Sequence, residues 1–231
     1  GLIEKYHDRR LADRVFELAW THSQVVMRQL NATETDAQLY GRLANSVLYA
    51  NSSLRADPGD LIKNRRGQSG LWGYAISGDL PIVLLKIGDP ASINLVRQLV
   101  RAHAYWRLKG LAADLIIWNE DHTGYRQLLN DQIMGLIAAG IEGNVLDRPG
   151  GIFVRPAEHI SSEDRILLQT VARAIISDSR GTLSEQISRR APADARVARL
   201  TPARIQRGET VATTAPPRSD LLLFNGIGGF T

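Results

Sequence analysis

Pro81-Ile-Val-Leu-Leu-Lys-Ile87 is an apolar run too short for a helix and without the alternation of a strand that has one wet face. Such a run suits a strand buried on both sides. Asp114-Leu-Ile-Ile-Trp118 and Gly151-Ile-Phe-Val-Arg155 repeat the pattern further along the chain. Helical segments separate them. After Asp89 as N-cap and Pro90 at the first helical position, Leu95, Val96, Leu99, His103 and Trp106 recur at helical spacing up to Gly110. Thr123 is placed to cap a helix bearing Leu128, Leu129, Ile133, Leu136 and Ile137, closed by Gly140. Ser161 or Ser162 caps another with Ile166, Leu167, Val171 and Ile175, and Thr182 with Glu185 has capping-box spacing for a short helix reaching about Arg190. Two-sided apolar strands alternating with helices predict a parallel sheet covered on both faces.

Outward from this α/β domain, placed at residues 81–190, lie four other regions. Residues 1–50 predict a helical hairpin. Its first helix carries Leu11, Val15, Leu18, Ala19, His22 and Val26 on one stripe, which also sets Trp20 and His22 against the sheet. Asn31 with Glu34 has the spacing of a cap for the second, which carries Leu39, Leu43, Val47 and Leu48. Residues 51–80 form a long Gly/aromatic loop with a possible turn of helix at Pro58, and Gln68-Ser-Gly-Leu-Trp-Gly-Tyr-Ala-Ile-Ser-Gly-Asp79 predicts backbone held tightly against a neighbour. Residues 191–219, with four prolines, predict an extended linker, and Asp220-Leu-Leu-Leu-Phe224 opens a following β domain within 220–231. The expected fold class is therefore α/β: an N-terminal helical hairpin packed with a small parallel sheet flanked by helices, Rossmann-like and three-layered, plus an extended C-terminal linker. Both chain ends read as cut, which predicts a piece of a longer polypeptide.

Composition narrows the chemistry. The chain has 231 residues, 44% hydrophobic and 23% charged, which suits a globular protein with a sizeable core. Cys is absent, so thiolate catalysis and Cys-based zinc sites are excluded, and five scattered His without metal-ligand spacing predict no metal. No apolar stretch approaches the ~20 residues of a membrane span. The net charge is +4, and +3 of it falls after residue 180, in the Pro/Ala/Thr/Arg-rich end, so a basic stripe for nucleic acid is not expected. No Gly-x-Gly-x-x-Gly or Walker loop follows a strand, and Gly88-Asp89-Pro90 puts an acid where a phosphate would sit, which argues against a nucleotide cofactor.

Several motifs in order carry a resemblance over essentially the whole chain. Trp20-Thr-His-Ser-Gln24, Asn64-Arg-Arg-Gly-Gln-Ser-Gly-Leu-Trp72, Ile76-Ser-Gly-Asp-Leu-Pro-Ile-Val83, Ala102-His-Ala-Tyr-Trp-Arg-Leu-Lys-Gly110, Asp114-Leu-Ile-Ile-Trp-Asn-Glu120 and Leu223-Phe-Asn-Gly-Ile-Gly-Gly-Phe230 resemble bacterial cyclic β-1,2-glucan synthases. These are very large inner-membrane proteins that join a glucosyltransferase to a C-terminal region of the glycoside hydrolase family 94 type. The resemblance implies a segment between β-supersandwich modules, on the cytoplasmic side, whose partners are those modules and the catalytic domains of the same polypeptide, with β-1,2-glucan as a further contact. It implies no catalytic residue here, because an Asp-x-Asp or Gln-x-x-Arg-Trp motif and a helical-barrel acid are both missing.

In an open parallel sheet, ligands favour the carboxyl ends of strands. That edge collects Asn119, Glu120, His122, Arg155 and Glu158, a set able to bind a sugar or move a proton. Trp72 and Tyr74 offer stacking faces for glucose rings, against the commoner role of aromatics in a core or domain interface. The bland reading of the edge is helix capping and loop polarity. Two rivals to a connecting module remain at this stage: a small hydrolase or transferase acting at that edge, and a stand-alone binding module.

Overall fold

The computed structural model describes residues 7–121, 126–140 and 143–189. All lie in the first of two compact units, Gly1–Pro192. The second unit, Ala193–Thr231, is outside the described residues, and with it most of the expected linker and the strand at 220–224. Thr123, the expected helix cap, is outside them too.

Four strands, β1 (Ile82–Ile87), β2 (Asp114–Asn119), β3 (Ile152–Pro156) and β4 (Ala174–Ser177), form one sheet in the order β3-β2-β1-β4. Every pair is parallel, with Leu84 beside Ile116 and Ile175, and Ile116 beside Phe153. The first three strands stand where the sequence placed them. The fourth was not foreseen. The apolar series through Val171 and Ile175 reads as one helix, but the helix stops at Val171 and Ile175 belongs to β4.

Alternate residues along each strand feed two separate cores. Val83, Leu85, Ile87, Leu115, Ile117, Ile152 and Ile176 face one side, and Leu84, Ile116, Trp118, Phe153 and Ile175 the other. On the first side the sheet is covered by α2 (Glu34–Leu48), α4 (Ile93–Leu108), α5 (Arg126–Ala138) and α7 (Leu183–Ser188). The other side is covered by α6 (Ser162–Val171), on whose outside the one-turn α3 (Pro58–Leu61) packs, and by a 3-10 run at Gln68–Tyr74. Each fully buried aliphatic side chain contributes roughly 1.5–3 kcal/mol, so the doubly covered strands dominate the stability.

The Gly/aromatic loop is held as tightly as its composition suggests. A side chain at Gly70 would come within 2.6 Å of Leu167 Cδ2 on α6. Leu71 and Ile76 are buried in the second core. The cap at Ser161 and the Thr182–Glu185 capping box are present, whereas Asp89 caps a 3-10 turn at Pro90–Ser92 and α4 itself begins at Ile93. The cap of α2 differs: Thr33 with Asp36 forms a reciprocal capping box, in place of Asn31 with Glu34. Thr33 wins because Asn31 has φ 47, a left-handed turn residue that lies two positions before the cap.

The hairpin needs the larger correction. Its second helix, α2, does enter the sheet-facing core through Tyr40, Leu43 and Val47, and Trp106 Nε1 donates to the Tyr40 carbonyl at 2.8 Å. The first, α1 (Arg9–Gln29), packs on α4 and not on the sheet, burying Val26 against Ala104 with Leu30 at its end. Val15, Leu18, Ala19, Trp20 and His22 are exposed.

Two glycines separate packing from propensity. A Cβ on Gly151, just before β3, would overlap the Val145 carbonyl oxygen, which belongs to backbone and cannot rotate away. Gly41, within α2, has nothing within 4 Å of that position. We expect Gly151→Ala to cost roughly 3 kcal/mol and Gly41→Ala to add about 0.5–1 kcal/mol, read as opposite shifts in urea midpoints.

Candidate functional site

Parallel register sets the site before any side chain is considered. At the carboxyl ends Ser177, Lys86, Trp118 and Arg155 stand side by side across the four strands. They share the face of the second core, since Trp118 and Phe153 are buried there. Lys86 Nζ lies 5.7 Å from the Trp118 ring centre and 3.5 Å from Glu120 Oε1. Arg155 stacks on Phe153 at 5.6 Å, donates from Nε and Nη2 to the Tyr74 carbonyl at 3.3 and 2.7 Å, and pairs with Asp147 at 2.8 Å.

Of the candidate residues, the structure joins two directly, Arg155 of the strand edge and Tyr74 of the loop. The Tyr74 hydroxyl donates to Asp164 Oδ2 at 2.8 Å, and Arg66 reaches Asp164 Oδ1 at 3.0 Å and Glu163 Oε2 at 2.7 Å. These bonds tie the 3-10 run to α6. Glu120 is engaged by Lys86, whereas Glu158 lies within 3.5 Å of its neighbour His159. Asn119 is buried on the opposite face from Trp118, and its Oδ1 accepts the Asp121 backbone N–H at 3.0 Å. Trp72 is 64% exposed, with its indole N–H on the Ser77 carbonyl at 3.3 Å, so it belongs to neither core. His122 lies outside the described residues.

The sequence reading missed the crevice that the strand order creates. Connections run β1 to β2 to β3 in one direction and then return to β4 on the other flank of β1, so the topological switch lies between β1 and β4. Asp178, just past β4, accepts the Gly88 and Asp89 backbone N–H groups at 2.7 and 3.0 Å. Those are the donors a nucleotide phosphate would need, and an internal carboxylate already holds them. Beside them Ser92, Asn94, Gln98, Thr182 and Glu185 line a groove of about 300 Å³. The signal for it was present in Ala174-Ile-Ile-Ser177 followed by Asp178, but only if the preceding helix is known to end at Val171. A groove of about 360 Å³ lies elsewhere, where Leu30 and Asn31 meet α4 and the end of α5.

Among the described residues, shifted groups fall at both ends of the sheet: Glu185 in the switch-point groove is held below the ordinary carboxylate range by the backbone N–H and hydroxyl of Thr182. Asp114 is pushed up by burial, against the Gly150 N–H that holds its Oδ1 at 2.7 Å, but it opens β2 and so sits at the amino edge. Burial alone would raise Asp164 also. Hydrogen bonds from the Ser161 and Tyr74 hydroxyls, with the Arg66 charge, outweigh it and hold the carboxyl below the ordinary range. Among the described residues no His/Asp/Glu group is placed to hold a metal ion, and no helix is long and apolar enough to cross a membrane.

The depressed Asp164 value gives a pH prediction. Its stabilisation is complete above the unfolded value near pH 4 and is lost as pH falls through the lower native value. Asp164→Asn is therefore expected to unfold at lower urea than the parent at pH 7, with the gap closing toward pH 2. Equilibrium denaturation across that range checks it, and a gap that widens on acidification contradicts it.

No protein-family model matches the chain. The chain is 32% identical over 195 residues to the cyclic beta-(1,2)-glucan synthase NdvB of Rhizobium meliloti, a match covering 81% of this chain and 7% of that relative. The chain is thus similar to one segment of a far longer synthase, as its motifs imply.

Proposed function

We propose that this chain is a non-catalytic connecting module of a membrane-associated bacterial cyclic β-1,2-glucan synthase, lying on the cytoplasmic side. It organises the glycoside hydrolase family 94-like region between β-supersandwich modules, and it contacts the glucan through exposed aromatic and polar groups such as Trp72. The observation that carries this reading is how the strand-end charges are used. Arg155 holds the Tyr74 carbonyl and Asp147, Lys86 holds Glu120, and Asp178 holds the two backbone N–H groups after β1. A general acid or base needs a carboxyl or imidazole with its reactive atom turned to substrate and its pKa tuned toward the working pH. Groups committed to internal partners instead fix loops to strands, as a rigid spacer requires. The similarity to a small segment of a synthase supports the parent process.

The test compares substitutions in the intact synthase, with glucan profiling beside immunoblots. Glu120→Ala is expected to leave glucan yield and protein abundance near normal. Arg155→Ala frees the Tyr74 carbonyl and Asp147 together, at a cost of about 1–3 kcal/mol, and is expected to lower abundance without changing product length. Normal abundance with abolished glucan in Glu120→Ala would establish the small hydrolase or transferase reading in its place.

A further inference from the structure

Helix α1 leaves an apolar surface that the described fold does not cover. Half of the large hydrophobic side chains exposed among the described residues sit on this one helix: Val15, Phe16, Leu18, Trp20 and Val25. Phe16 is 73% exposed and Trp20 67%. Among the described residues the helix is anchored toward its C-terminal end, where Val26 and Leu30 are buried and Lys109 Nζ bonds the Ser23 hydroxyl at 3.1 Å. The exposed residues continue the buried stripe toward the N-terminus, and an apolar surface of this kind marks an interaction site.

Angular placement says what kind of occupant fits. At about 100° per residue, the arc from Leu18 through Val15 and Phe16 to Trp20 spans roughly 200°. Arg10, Asp13, Arg14, Glu17 and Thr21 occupy the remainder. A single flat face or one helix covers far less than that arc, so a second copy of α1, itself a convex ridge, would leave Phe16 or Leu18 wet. A groove with two walls covers all of it, which is the helix-in-groove mode of recognition. The wall beside Leu18 meets Arg14 and is matched by acid, and the wall beside Trp20 meets Asp13 and Glu17 and is matched by base.

We infer that the N-terminal half of α1 docks into an apolar groove on another domain of the same polypeptide, with Phe16 and Trp20 as its anchors. This rests on the connecting-module reading, and the source follows from length: the matched segment is 7% of the relative, so the great majority of such a chain lies outside it. A tethered groove also needs only modest intrinsic affinity, because the linker sets a high local concentration.

A photo-cross-linking residue placed at Val15 in the polypeptide expressed from its own gene tests this, with cross-linked peptides identified by mass spectrometry. Cross-links to peptides of the same polypeptide outside residues 1–231 are expected, and the same probe at Thr21 should give at least about tenfold fewer. Phe16→Asp with Trp20→Asp should reduce the Val15 cross-link about tenfold or more, as removal of anchor residues does. Abundance of the full polypeptide on immunoblots should be unchanged by the pair, because both side chains are exposed. Cross-links to a second copy, to a different protein or back into residues 1–231, or none at all, overturn the docking inference. A gene product no longer than this chain would overturn the connecting-module reading as well, and its immunoblot mass separates the two failures.

Discussion

Strand β1 has a parallel neighbour on each side and apolar residues on both faces, and the rest of the fold answers that constraint. A strand buried in this way cannot leave either face to water, so helices must be drawn over both. On one side α2, α4, α5 and α7 supply them. On the other, among the described residues, α6 covers part and the Gln68–Tyr74 run fills the remaining area. The glycines there have a definite use. At position 70 any side chain would meet Leu167, so the backbone itself is the covering surface.

The same economy governs the ends of the strands. Loops emerging from a parallel sheet present backbone donors and charged side chains in one place, and in many α/β proteins a ligand satisfies them. Here the chain satisfies several of them itself. Asp178 closes the turn after β1, and the line Arg155–Tyr74–Asp164–Arg66 runs from strand to loop to helix. Hydrogen bonds to charged groups of this sort contribute about 1.5–3 kcal/mol each when made and cost more when one partner is removed. These internal bonds make the edge rigid.

Helix α1 is the element that does not serve the sheet. It forms an outer layer on α4, where one short patch of its apolar surface is buried, and the described residues leave the rest exposed. Its N-cap, in which Asp8 accepts the Arg10 N–H at 3.0 Å, gives it a defined start before the exposed part begins.

The sequence by itself determined the three long strands, the helices between them and their parallel sense, because two-sided burial writes continuous apolar runs that local reading detects. It also determined the caps at Ser161 and at Thr182 with Glu185, since capping is a contact between residues three apart. Strand β4 was not legible: four residues are too few for a period, and only pairing with β1 stops the preceding helix at Val171. The switch-point groove was hidden for the same reason. Tertiary structure alone decided which candidate residues meet. Tyr74 and Arg155 are 81 positions apart and touch because β3 carries one past the loop that carries the other. Tertiary structure also decided which side of α1 is inward. Helical periodicity shows that an apolar face exists, but not what covers it, and here the described residues leave most of that face exposed.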